Sequence, residues 1–107
     1  MDRATAIITA QQYAQAVAEA LKPAVILLYG SYAKGTQSGD SDIDVAVVFD
    51  GFDGDWLKVS AQLWKLRRGI SDDIEPILLD RAQGDPSGFV AEIFRTGEVL
   101  YTLKDSA

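Results

Sequence analysis

Residues 30–44 read Gly30-Ser31-Tyr32-Ala33-Lys34-Gly35-Thr36-Gln37-Ser38-Gly39-Asp40-Ser41-Asp42-Ile43-Asp44. A small-residue turn is followed by two carboxylates one residue apart. The turn comes directly after the apolar run Val25-Ile26-Leu27-Leu28-Tyr29, and the carboxylates come directly before Val45-Ala46-Val47-Val48-Phe49. In a strand, side chains at i and i+2 project from the same face. Asp42 and Asp44 are therefore expected side by side at the start of a strand. Two carboxylates held that close repel each other unless a cation lies between them. Hard divalent ions such as Mg²⁺ take oxygen ligands, usually one or two carboxylates together with substrate phosphates. The Gly30-Ser31 turn supplies backbone N–H groups and a hydroxyl that suit phosphate oxygens. A phosphate cradle beside a carboxylate pair is the layout expected of a phosphoryl- or nucleotidyl-transfer site.

The combination resembles the signature of the DNA polymerase β-like nucleotidyltransferase superfamily: Gly30-Ser31, ten intervening residues, then Asp42-Ile43-Asp44. Each half of the motif abuts an apolar strand-like run, which makes the pair far more specific than either alone. The chain looks most like the minimal nucleotidyltransferases, many of which sit beside a helical HEPN-domain ribonuclease toxin and act as its antitoxin. The closing Ile93-Phe94-Arg95-Thr96-Gly97-Glu98-Val99-Leu100-Tyr101 also resembles the end of that domain.

The resemblance implies a set of roles. Asp42 and Asp44 would bind two Mg²⁺ ions, with Mn²⁺ as a substitute. Such paired ions, about 3.5–4 Å apart, clamp the attacking and leaving oxygens of an in-line displacement. A third carboxylate on a later strand would complete the catalytic set. The matching position is Glu75, in Asp73-Ile74-Glu75-Pro76-Ile77, where the family commonly carries Asp. Glu is one methylene longer, which moves the oxygen outward by roughly 1.5 Å, and catalytic geometry is sensitive to misplacement of about 1 Å. Asp73 lies on the same face of a regular strand and is the alternative third ligand. Gly30 and Ser31 would hold the phosphates of ATP. Lys34 stands where the family often has Arg and reaches toward the triphosphate, or else is a solvated lysine. Ser41, directly before Asp42, is the best placed of the loop hydroxyls for a phosphate. The implied reaction moves AMP from ATP onto a hydroxyl of a partner protein (AMPylation), most plausibly a tyrosine of a HEPN toxin. The alternative is a catalytically weak binding module that neutralises its partner by contact.

Composition narrows the chemistry. The chain has 107 residues, 48% of them hydrophobic, and reads as one domain over residues 1–107. Larger relatives carry an extra helical domain for a small acceptor, so the acceptor here is expected on another protein. There is no cysteine and no histidine, which removes disulfides, thiolate nucleophiles, His general bases and Cys/His zinc sites. The lack of cysteine fits the cytoplasm. No secretory leader or membrane span is evident. A net charge of −6 argues against an extended nucleic-acid surface, while leaving room for one nucleotide brought in with its cation. Homo- and hetero-oligomers are both left open.

Periodicity and punctuation predict the elements. Ile7, Ala10, Ala14, Val17, Ala18 and Leu21 mark a helix over 5–21, ended by Pro23. Strands are expected at 24–29, 43–49 and 74–79, the last with Pro76 at an edge or bulge. A helical turn is expected at 31–35 and a loop at 36–41. Trp56, Val59, Leu63 and Leu66 mark a helix over 55–68. Trp56 is read into the core stripe; Trp64, eight positions on and about 80° around, falls toward the edge of the stripe, where exposure would mark a partner surface, and core packing is the favoured reading for both. Lys65, Arg67 and Arg68 are read as cations favourably placed at a helix C-terminus. Asp85-Pro86 reads as an N-cap with proline at the first helical position. Gly97 reads as the C-cap of that helix, 98–103 as a last short strand, and the last few residues as frayed. The link between the strands at 24–29 and 43–49 is too short for a full crossover, so they are expected antiparallel. The fold class is α+β: a mixed sheet with helices packed on it.

Overall fold

The computed structural model describes residues 1–103. The chain begins with helix α1 (Arg3–Leu21) and strand β1 (Val25–Tyr29). The one-turn α2 (Ser31–Lys34), β2 (Ile43–Phe49), α3 (Trp56–Leu66) and β3 (Ile74–Asp80) follow. A 3₁₀ turn (Arg81–Gln83), α4 (Phe89–Thr96) and β4 (Glu98–Thr102) close it. The expected frayed tail, residues 104–107, lies outside the described residues.

Helix α1 starts where the Asp2 carboxylate accepts the Thr5 N–H at 2.7 Å and stops at Lys22, in the left-handed region at φ 50°, just ahead of Pro23. Its inward face is Ala6, Ala10, Tyr13, Ala14 and Val17, all buried. Three alanines in that set let the helix lie close on the sheet. Tyr13 fills the remaining depth, and its hydroxyl donates to the Leu63 carbonyl at 2.6 Å, tying α1 to α3. Burial pushes the ionisation of the Tyr13 phenol well up from its usual range, so the hydroxyl remains a donor.

The four strands lie in the order β3-β2-β1-β4. β1 pairs antiparallel with both β2 and β4, as expected for β1 and β2. β2 pairs parallel with β3, through the crossover helix α3. Against β4 the register of β1 slips at Ile26/Leu27, whose partners are Tyr101 and Val99. β3 is an edge strand, which is where Pro76 is tolerated.

The strand period of two divides the core. One face carries Ile26, Leu28, Ile43, Val45, Val47, Ile74 and Leu78, covered by α1, α2 and α3. The other carries Val25, Leu27, Ala46 and Val48, covered by Ile93 and Phe94 of α4. Each fully buried Ile, Leu or Val is worth about 1.5–3 kcal/mol against exposure.

Two details of the α3 and α4 expectations are corrected. Trp56 and Trp64 are not core residues: they are 41% and 44% exposed. The buried arc of α3 is Val59, Leu63 and Leu66. Trp56 is the first residue of the helix and rests edge-on against Phe52, 5.5 Å between ring centres. Pro86 is not the first residue of α4. The helix starts at Phe89, after Gly88 at φ 76°. That left-handed residue turns the chain so that Asp85 caps from further upstream. Its two carboxylate oxygens accept the N–H groups of Val90 at 3.0 Å and Ala91 at 2.9 Å. At the other end Gly97 does cap α4, donating to Ile93 O at 2.7 Å. No helix among the described residues is long and apolar enough to cross a membrane.

Candidate active site

The carboxylates gather at one end of the sheet, on the face covered by α4. β2 begins there, and the antiparallel register sets Asp44 opposite Tyr29 of β1. The parallel register sets Asp44 opposite Glu75 of β3. Asp44 is thus the middle of a row running Tyr29, Asp44, Glu75 across three strands, with side chains on one face. Asp42 lies two residues before Asp44, one residue ahead of β2, and its charge is close enough to act on the Asp44 carboxyl. Asp73 shares the parity of Glu75 but lies one residue ahead of β3, where its carbonyl accepts the Ile43 N–H at 2.8 Å.

The electrostatics agree with the register. Partial burial, then the charges of Glu75 and Asp42, raise Asp44 to a pKa of about 6. Burial, with Asp44 and Glu75 nearby, raises the Tyr29 phenol to about 12. Asp42 and Glu75 are exposed and Asp44 is half-buried.

Gly30 joins β1 to α2 with φ 75° and ψ −150°, a region that L side chains essentially do not occupy. Ser31 is the first residue of α2 and half-buried. As at any helix start, its first N–H groups precede the intrahelical ladder. Lys34 ends α2, is exposed, and lies close enough to Glu92 of α4 to lower that carboxyl's pKa, after the larger effect of the Arg95 hydrogen bond. The Ser41 hydroxyl is engaged locally. It accepts the Ser38 N–H at 2.8 Å and lies 3.4 Å from the Ser38 hydroxyl, closing the turn before Asp42. In the same loop Gln37 Oε1 is buried without a hydrogen-bond partner.

Two aromatic residues beside the carboxylates went unread in the sequence. Tyr29 meets Phe89 of α4 edge-on, ring centres 6.0 Å apart, and Phe89 is 40% exposed. The alternation of β1 contained part of this signal, since Tyr29 shares its face with Val25 and Leu27. The approach of Phe89 depends on how α4 docks and leaves no local trace. The structure's concavities of about 440 and 510 Å³ are elsewhere. One is at the opposite end of the sheet, lined by Lys22, Asp50 and Arg81 among others. The other is between α1 and β4, lined by Gln11, Gln15 and Tyr101.

The family model for polymerase beta nucleotidyltransferases matches residues 11–106. The chain belongs to that family. The mixed sheet with helices packed on it is the fold of that family. Members of this superfamily generally use divalent metals. Among solved structures, a candidate nucleotidyltransferase from Sulfolobus solfataricus has 20% identity and a TM-score of 0.69, covering 94% of this chain and 83% of its own. A toxin-antitoxin complex with AMP-PNP has 24% identity and a TM-score of 0.58, covering 86% and 73%. A mutant form of the toxin-antitoxin MntA-HpeT, with two aspartates two positions apart changed to glutamate, has 20% identity and a TM-score of 0.57, covering 85% and 71%. At these identities the likeness is one of fold. No curated protein matches the sequence significantly.

The fit of a divalent ion is a question of donors. Among the described residues, no three Asp or Glu side chains already converge on a point where an ion would sit. The donor chemistry nonetheless suits Mg²⁺ or Mn²⁺: Asp42, Asp44 and Glu75 offer only hard oxygens. The proximity that raises the Asp44 pKa is also what a cation would relieve.

Proposed function

We propose that residues 1–107 act as one nucleotidyltransferase unit that moves AMP from ATP onto a hydroxyl of a partner protein in the cytoplasm, the partner being a HEPN-domain ribonuclease toxin silenced by the modification. The reading rests above all on one observation: Asp44 lies in register with Glu75, with the Asp42 charge close by and Gly30 against the Asp44 carboxylate. Asp42, Asp44 and Glu75 would hold two Mg²⁺ ions, which when bound neutralise phosphate charge and acidify the acceptor hydroxyl. Gly30 keeps the backbone open to the phosphates, and Ser31 offers its hydroxyl and N–H to them. Lys34, exposed at the end of α2, would pair with the outer phosphates. The acceptor oxygen bonds to the α-phosphorus, the bridging P–O bond to the β-phosphate breaks, and pyrophosphate leaves. Glu75 takes the hydroxyl proton. The toxin-antitoxin neighbours support the class of partner.

The test uses the cognate partner, α-labelled ATP and Mg²⁺. Label is expected on the partner with the wild type and not with Asp42→Asn/Asp44→Asn. The substitution of Glu for the commoner Asp at position 75 favours a second reading, neutralisation by contact. That reading stands if the wild type transfers no label and still silences the partner.

A further inference from the structure

The exposed face of α3 is chemically unlike the rest of the molecule. Leu57, Ala61, Trp64, Lys65 and Arg68 are all exposed, and their spacing of i, i+4, i+7, i+8 and i+11 places them on one stripe of the helix. Leu57, 80% exposed, and Trp64 form its apolar centre. The span from residue 56 to residue 71 carries four cations (Lys58, Lys65, Arg67, Arg68) and no carboxylate. The rest of the chain then holds six cations against sixteen carboxylates. Such a segregation is more than a helix C-terminus asks for, since Lys58 sits in the first turn and the dipole effect is confined to the last.

Trp64 is also held in place. The Arg67 guanidinium lies 4.9 Å from its ring centre and donates to the Asp72 carbonyl at 2.5 Å. Arg67 also pairs with the Asp72 carboxylate at 3.8 Å, which leaves Lys65 and Arg68 as the cations flanking the ring. An exposed tryptophan beside arginine has the make-up of residues that dominate protein–protein binding.

We propose that this stripe docks an acidic amphipathic helix of a partner protein: aliphatic side chains of the partner against Leu57, Ala61 and Trp64, carboxylates against Lys65 and Arg68. Charge complementarity selects an acidic partner. A helix rather than single-stranded nucleic acid follows from the aliphatic centre and from Arg67 already lying on the Trp64 ring, where a base would stack. The overall charge of −6 also repels a phosphate backbone. α3 returns the chain to the start of β3, so its Arg68 end lies at the carboxylate end of the sheet.

The test needs neither ATP nor an identified partner. The probe is a helical peptide of about 14 residues, four turns, with leucines on one stripe and glutamates flanking it. The controls are the same composition with the stripe scrambled and an oligouridylate of about 12 nucleotides. Amide chemical-shift changes are expected at Leu57, Ala61, Trp64 and Arg68 with the striped peptide, and its affinity is expected to fall with salt. Leu57→Ala and the charge reversal Lys65→Glu should each weaken it about tenfold or more. Both positions are exposed, and an unchanged melting temperature would confirm that the fold is kept. Equal binding of the scrambled peptide, shifts confined to another face, or tighter binding of the oligouridylate would overturn the proposal.

Discussion

Gly30 and Asp44 touch so closely that a methyl group on Gly30 would overlap Asp44 Oδ2. Gly30 also has φ 75° and ψ −150°. Both constraints exclude a side chain, one through backbone strain and the other through the carboxylate behind it. Gly30→Ala is therefore expected to cost about 1–3 kcal/mol in stability and to remove the stabilisation by Mg-ATP, which should be about 2.7 kcal/mol at a hundred times the dissociation constant. Gly35, at φ 75° and ψ 19°, has open space around it. Gly35→Ala should cost about 1–2 kcal/mol and leave the Mg-ATP effect in place. Urea melts with and without Mg-ATP separate the two. An equal loss of ligand stabilisation at both positions would sink the argument.

The Asp44 carboxyl gives a pH dependence with a definite sign. Its pKa in the folded chain is about 6, raised by burial and by Glu75 and Asp42, against roughly 3.9 when unfolded. Between those values the native state binds more protons than the unfolded one, so stability falls as pH rises from about 4 to about 6. The carboxyl is only partly buried, so solvent screening cuts the effect to about 1 kcal/mol. In EDTA, Asp44→Asn is expected to match the wild type near pH 4 and to be the more stable protein at pH 7.5. Added Mg²⁺ should narrow the difference at pH 7.5 by stabilising only the wild type. Melts across pH 4–8 read this directly.

Asp80 anchors the loop between β2 and α3. Its carboxylate is buried and accepts the N–H groups of Gly51 at 2.8 Å, Phe52 at 2.9 Å and Ala82 at 3.0 Å. These bonds, that of Phe52 foremost, hold its pKa below the usual range, so its contribution is present above the unfolded pKa and lost as pH falls through the folded one. Asp80→Ala leaves three N–H groups without their acceptor and frees Phe52 from its place between Phe49 and Trp56. A fall in Tm of about 5 °C or more is expected at pH 7, with Mg-ATP stabilisation unchanged because the loop is at the far end of β2. Differential scanning fluorimetry on both proteins, with and without ligand, tests both halves.

The contrast between Asp44 and Asp80 shows what the sequence made legible. Asp42 and Asp44 stood out because a strand's period of two and an abutting apolar run place them without any knowledge of the fold. Glu75 was reached only through the resemblance, as the matching position on a later strand; its pairing with Asp44 is a register that only β2 and β3 together define. Asp80 was not reachable: a lone acid at a strand end looks like any turn residue until the loop it holds is seen 28 positions upstream. Trp56 was misplaced for a related reason. Helical spacing assigns it to the stripe of Val59 and Leu63, but at the first turn of α3 it packs on Phe52 and faces water. Asp85 was read as a cap and is one, but Gly88 shifts the helix start three residues past Pro86.

The third carboxylate gives the sharpest separation of catalysis from contact. Glu75 is in register with Asp44, whose pKa its charge helps to raise, whereas Asp73 is exposed and outside β3. A group that holds a metal and accepts a proton acts on the transition state and contributes little to ground-state recognition of a protein. Glu75→Gln keeps the shape and removes the charge. With the cognate partner and α-labelled ATP, Glu75→Gln is expected to lower kcat by about a hundredfold or more. Partner affinity should change by less than about tenfold, 1.4 kcal/mol. Asp73→Asn should leave kcat within about threefold, since an exposed charge next to the site is screened. Full activity of Glu75→Gln together with loss in Asp73→Asn would move the third ligand to Asp73 and keep the reaction. Loss of partner binding with Glu75→Gln would instead mark this end of β3 as a contact surface.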